Sequence, residues 1–232
     1  MEPWIKWSLE AATCFPDMFV CTGGVSDIKV ERHSIEAERM VKVIVAQMCQ
    51  NYSAERLKND RTVRAYRDLY WSLGIDPTKT RPSGEALLRR VLRGNQVPSV
   101  SSVVDAYNLA SMETIIPLSG FDQDLICPPL EIRFSNENDE FKGIGMDKSA
   151  KFDEGRTLLV VDGKQVLCIY PYRDADTTKI TGKTRNALII GYGAPSISKA
   201  VLISAVEKAL TYIVKVAGGR REKVNVFPSN QL

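Results

Sequence analysis

Hydrophobic positions recur at helical spacing through the first half of the chain and at strand spacing through the second. Behind Ser34, a plausible N-cap, Ile35, Val41, Ile44, Val45 and Met48 form one stripe, which predicts a helix over 34–50. A second stripe, Val63, Tyr66, Leu69, Tyr70 and Leu73, predicts a helix over 56–73 that stops at Gly74. Pro82 and Ser83 open a third, with Leu87, Leu88, Val91 and Leu92 turned inward, and Gly94 closes it. Ser101 or Ser102 caps a fourth that reaches about Met112. Beyond Pro117 the pattern changes to short β runs at 130–134, 141–144, 157–161, 166–172 and 186–192, with a hairpin turn at Asp162-Gly163. A closing amphipathic helix over 197–216 ends at Gly218-Gly219, and the segment from Arg220 to Leu232 reads as loosely held.

This pattern predicts an α/β (α+β) fold without internal repeat. The expected division is a helical and strand part over 1–60, a main domain over 61–219, and a tail over 220–232. At 232 residues and 44% hydrophobic, the chain is long and apolar enough for a real core, which rules out disorder. No apolar run approaches a membrane span and the start lacks the features of a secretory signal, so a cytoplasmic location is expected. Five scattered cysteines without a C-x-x-C pair read as small buried hydrophobes rather than as disulfides or zinc ligands. A single histidine, His33, cannot build a two-histidine metal site, so no metal is expected.

The charge is unevenly placed. Residues 55–93 hold ten Lys/Arg against five acids, although the whole chain is only +3. Such a cluster suits a polyanion such as RNA, with Arg81, Arg89, Arg90 and Arg93 as phosphate contacts, or a solvated helix face laced with i,i+4 pairs. Nucleotide motifs fail: Gly182-Lys183-Thr184 lacks the first glycine of a phosphate loop, which would fall at Thr177, and neither Gly-x-Gly pair has the third glycine of a dinucleotide turn. No cofactor is therefore expected. Polar density collects instead in Arg81–Glu85, in Asp105–Asn108 and in Tyr170–Lys179, the last at the end of an apolar strand where ligands are commonly met. Asp105 and Asn108 share one helical face, bracketed by Ser111 and Glu113. They form either a pocket wall or a set of mutual hydrogen-bond partners.

These same residues resemble the tRNA-binding and editing domain of the phenylalanyl-tRNA synthetase β subunit. Ser83 with Leu87 to Leu92 is similar to that family's S-P-x-W-L-x-x-R-L helix, and Val103-Val104-Asp105-Ala-Tyr-Asn108 to its N-N-x-V-D-x-x-N. Glu113, Pro117-Leu118 and Phe121-Asp122 fall where the family has E-x-G-Q-P-L-H-A-F-D. Leu158 to Asp162, Ile180-Thr181, Thr184 and Asn186 to Ile190 resemble V-I-A-D and V-T-x-x-T-x-N-V-L-L. The segments Tyr66 to Trp71, Gly74 to Pro77 and Arg81 to Ser83 look like its small free-standing relatives. The likeness covers about 65–193. Three positions depart: Ser119 stands for the family's histidine, Ile169 to Asp174 for its glycine-rich turn, and the glutamate after V-L-L is replaced near Gly191.

The resemblance implies a three-layer domain with a sandwich-like sheet pair flanked by helices, and a pocket between helices and sheets. It implies a tRNA partner, an aminoacyl ester as substrate, and hydrolysis of mischarged tRNA in trans rather than ligation. That chemistry needs no cysteine, histidine or metal, because the ester is already activated and positioned donors hold the oxyanion. Carried onto this chain, Arg173, Asp174 and Thr177 are the catalytic candidates, and Asp105, Asn108, Ser111, Glu113 and Thr181 line the pocket. Two alternatives remain: a non-catalytic RNA-binding module, and a small-molecule hydrolase or binder that reuses the pocket.

Overall fold

The computed structural model describes residues 4–229. In chain order the elements are β1 (Ile5–Trp7), α1 (Leu9–Cys14), β2 (Phe19–Ser26), α2 (Ile35–Asn51), α3 (Ala54–Asn59), α4 (Arg61–Ser72), α5 (Ser83–Leu92), α6 (Ser102–Thr114) and β3 (Leu118–Asp122). There follow β4 (Leu130–Phe134), β5 (Glu140–Phe141), β6 (Ala150–Lys151), β7 (Leu158–Val161), β8 (Val166–Ile169), β9 (Arg173–Asp174), β10 (Ala187–Tyr192), α7 (Lys199–Ala217), β11 (Arg220–Arg221) and β12 (Asn225–Pro228).

Two five-stranded sheets make the body. One runs β1-β4-β7-β8-β9, parallel only between β1 and β4; in the other β10 lies between β2 and β3, and β11 and β12 both pair with the outer side of β2. Alternation along β10 fixes the layers. Gly191 faces α7, where an added Cβ would lie 2.7 Å from Val206 and 3.3 Å from Leu202. On the opposite face Tyr192 meets Tyr170 of the first sheet edge-on, with ring centroids 4.9 Å apart. The order is therefore helices, central sheet, outer sheet, and the main core fills both gaps. β3 and β10 are buried along their whole length, as a strand covered on both faces must be.

Several elements differ from the sequence reading. Residues 56–73 are two helices, because Asp60 leaves helical geometry and its carboxylate caps the amides of Thr62 and Val63. On α2 the buried stripe is Ala37, Met40, Ile44 and Met48, while Ile35 is exposed and Val41 and Val45 are half-buried. Strand β2 has no readable alternation, since it is enclosed on both sides and interrupted by Gly23-Gly24. The Asp162-Gly163 hairpin exists, with Asp162 Oδ1 accepting from the amides of Lys164 and Gln165. The segment after Arg220 is not loosely held: β12 pairs with β2 from Phe19 to Thr22, and the Ser229 amide donates to the Met18 carbonyl at 2.9 Å. Residues 230–232 lie outside the described ones. Among the described residues, no helix is long and apolar enough to cross a membrane.

Candidate functional site

β9 is a two-residue strand on the free edge of the outer sheet, and its pairing with β8 sets Asp174 opposite Cys168. From the central sheet, Ser119 on β3 reaches across the gap, and its hydroxyl donates to Asp174 Oδ1 at 2.6 Å. Burial raises the Asp174 carboxyl to about 6, against the opposing pull of the Ser119 and Cys168 donors. Tyr107 from α6 and Tyr192 from β10 close the same spot. Burial pushes both phenols up, and the neighbouring carboxylate adds to it. The Tyr192 hydroxyl is fully enclosed near Ser119 and Cys168 but forms no hydrogen bond of ordinary geometry among the described residues. Asp174 itself keeps part of its surface exposed. The result is a carboxylate poised near neutral pH, a bound hydroxyl, and an uncommitted phenol behind it.

Arg173 borders this cluster. Its guanidinium lies 5.1 Å from the Tyr172 ring centroid and donates to the Tyr172 hydroxyl at 3.1 Å. Its methylenes press on Gly143, where a Cβ would come within 2.5 Å of Cδ, so only glycine admits this approach. Thr177 is exposed and donates to Gln165 Oε1 at 2.6 Å, which ties the loop to the β7–β8 hairpin. Thr181 lies in an exposed turn; its amide donates to Thr184 Oγ1, and Thr184 in turn donates to Asp122.

The α6 residues point to different tasks. Asp105 accepts from Ser99 Oγ at 2.7 Å and from the Val100 amide at 2.8 Å, fixing the connection that enters the helix. Ser111 is fully buried and donates to the Ile116 carbonyl. Glu113 binds Tyr212 and Lys208 of α7, both at 2.6 Å. Asn108 is half-buried. The structure thus unites Asp174 with its neighbour Arg173 and with Ser119, while Asp105, Ser111, Glu113, Thr177 and Thr181 are engaged elsewhere.

The arginines also divide. Glu85 is fully buried, and Arg67 and Arg89 both reach it at 2.5 Å. Burial alone would raise its pKa; the two guanidiniums outweigh that and hold it below the usual carboxylate range. The polar run Arg81–Glu85 therefore has a packing logic, completed by Gly84, where a Cβ would come 2.7 Å from the Ser111 carbonyl oxygen. Arg81 keeps a buried Nε without a partner among the described residues. Arg90 donates to the Gln96 carbonyl, and Arg93 is exposed. Tyr70 joins this patch to the Arg173 loop: its hydroxyl donates to the Pro171 carbonyl at 3.5 Å, and burial, with the Glu85 charge adding to it, pushes its phenol up. Among the described residues no group of three or more His, Cys, Asp or Glu side chains is arranged to hold a metal ion.

Sequence reasoning missed Ser119, Tyr107 and Tyr192 as members of the Asp174 cluster, and Arg67 as the second partner of Glu85. Ser119 alone had left a signal, as the residue at the resembled family's histidine position. A family model described as the B3/4 domain matches residues 65–218. The chain belongs to the B3/4 domain family. Its match takes in α7, beyond the segment recognisable by motif. The phenylalanine–tRNA ligase β subunit of Haemophilus ducreyi is 21% identical over 160 residues, covering 59% of this chain and 20% of that protein. A solved N-terminal fragment of the phenylalanyl-tRNA synthetase β subunit from Pyrococcus horikoshii superposes with a TM-score of 0.48 at 12% identity, covering 94% of this chain and 49% of the fragment. This B3/4 protein thus spans about a fifth of the curated relative.

Proposed function

We propose that this B3/4 protein binds the aminoacylated end of tRNA in the cytoplasm and hydrolyses the ester of a mischarged one. The Ser119–Asp174 pair between the sheets carries the reading. A carboxyl held near 6 is mostly ionised at cellular pH and a stronger base than an ordinary carboxylate, which suits the removal of a proton from an attacking water. In this reading Asp174 holds the water and Ser119 orients the carboxylate. Arg173 meets the carbonyl oxygen as negative charge develops on it. Thr177 donates a hydrogen bond to Gln165 and acts by fixing the loop. Arg90 and Arg93, exposed at the end of α5, hold phosphates. Arg81 adds charge beside them.

The test is release of amino acid from a panel of mischarged tRNAs by wild type and by Asp174→Asn. One or more members are expected to be cleared, with roughly a hundredfold loss in the variant, the scale of a general base. A flat panel removes the hydrolytic reading. Loss of a salt-dependent tRNA shift removes the RNA reading altogether.

A second reading is binding without hydrolysis. It is favoured by the buried tyrosines Tyr107 and Tyr192, which fill space beside Asp174, and by a serine where the resembled family has histidine. It predicts the salt-dependent shift without the release.

A further inference from the structure

A cleft of about 600 Å3, lined by neither Asp174 nor Ser119, lies between α2 and the connection from α5 to α6. Its position follows from two ties. The Glu31 and Ser102 backbones bind the start of α2 to the start of α6, with Ser102 also accepting from the Glu31 amide through its hydroxyl. Residues 94–99 then run back along α2 from the end of α5. The floor and walls are Ala37, Val41, Val45, Val91, Val97 and Pro98. Ala37 to Cys49 recur every fourth residue, so this apolar wall is roughly 18 Å long at helical rise. Val41 and Val45, which the sequence reading turned into the core, are half-buried because they face this opening. The volume falls within the range of small-molecule sites, roughly 300–1,000 Å3, rather than of a packing defect.

The charges around it narrow the occupant. Of the acids in the lining, Asp105 has both oxygens committed to Ser99 and Val100. Neighbouring charges are used too, since on α2 Glu36 takes Arg39 and Lys215, and in the segment before it Lys29 takes Glu31. Glu38 and Lys42 remain, one helical turn apart, both exposed and both lining the cleft. Among the described residues they pair neither with each other nor with another side chain. A carboxylate ligand would meet Glu38 as a like charge, and an amine would meet Lys42. A zwitterion satisfies both.

We infer that this cleft is a binding site for a small zwitterionic amphiphile, its anionic group on Lys42, its cationic group on Glu38 and its apolar part along Val41, Val45 and Val97. An amino acid or short peptide with bulky apolar side chains has this chemistry, and so does a phosphocholine with a short alkyl chain. The site is separate from Asp174 and stands whether or not the ester is hydrolysed.

The molecule carries its own reporters. Cys49 lines the cleft and is exposed, whereas Cys14, equally exposed, sits on α1 away from it. His33, the single histidine, also lines the cleft, so its imidazole NMR signals are unambiguous. The full chain would be titrated with leucyl-leucine, hexylphosphocholine, hexanoate and hexylamine, reading iodoacetamide labelling at both cysteines by mass spectrometry and the His33 signals. At least one zwitterion is expected to slow labelling of Cys49 but not of Cys14 and to shift His33. Hexanoate and hexylamine are expected to do neither at the same concentration. Which zwitterion binds assigns the source. Glu38→Gln and Lys42→Gln, both surface changes, should each weaken the effect at least about fivefold, as expected for loss of one charged partner. Failure of all four compounds, or hexanoate or hexylamine acting as well as the zwitterions, overturns the inference, as does an unchanged affinity in both variants.

Discussion

Ser119 and Asp174 come from different sheets, and the 2.6 Å hydrogen bond between them puts a carboxylate into a largely apolar gap. Its energetic sign is set by protonation. The Asp174 carboxyl is raised above its unfolded value, so the native state binds more protons than the unfolded chain between roughly pH 4 and 6, and stability falls as pH rises through that window. Asp174→Asn removes this cost. The variant should be more stable than wild type above pH 6, by up to about 3 kcal/mol, with the advantage vanishing below pH 4. Urea melts at pH 4 and pH 8 check this; an advantage of equal size at both pH values would contradict it.

Glu85 is the anchor for two arginines that retain only 23% and 18% of their side-chain surface. Glu85→Gln leaves both cations confined without a counter-charge. The expected loss is about 2–3 kcal/mol, discounted from a fully buried pair because the guanidiniums still touch water. The shift of the denaturation midpoint measures it, and a change under about 0.5 kcal/mol would mean that the arginines simply swing out to solvent.

Gly84 is tested by a single methyl group. In Gly84→Ala the new Cβ meets the Ser111 carbonyl oxygen at 2.7 Å and the Ile115 backbone at 2.8 Å, neither of which is the end of a flexible chain. α5 must slide on α6, at a cost of about 1–3 kcal/mol, visible in the thermal midpoint.

The arginines of α5 should separate by their readouts. Arg89→Ala breaks the bond to Glu85 and lowers stability, whereas Arg93→Ala leaves the midpoint unchanged. If tRNA is bound, Arg93→Ala should weaken it evenly across sequences and reduce the salt slope by about one. Parallel filter-binding and melting curves distinguish the two effects.

Much of this was legible because periodicity reports burial on one face. α5, opened by Pro82, and α7, capped by Ser198, both with wide apolar stripes, fall close to their sequence bounds. What escaped were segments enclosed on both faces. Phe19–Ser26 and Leu118–Asp122 have no alternation to read, since helices cover one side and the outer sheet the other. The polar residues of α6 left two readings open for a related reason. Their composition matched a pocket wall, but Asp105 and Glu113 serve a loop and a neighbouring helix, and only coordinates separate a committed carboxylate from a free one. The Ser119–Asp174 pair depends on residues 55 apart meeting across two sheets, a register that no local pattern encodes.

Strand β2 takes its partners from residues 187–192 and 225–228. On a ribosome, a nascent chain therefore carries this glycine-interrupted ribbon unpaired until residues 187–192 have emerged, with both faces and both edges bare. The helices can form early from local contacts, but closure of the central layer must wait for β10 and β12, which lie far along the chain from β2.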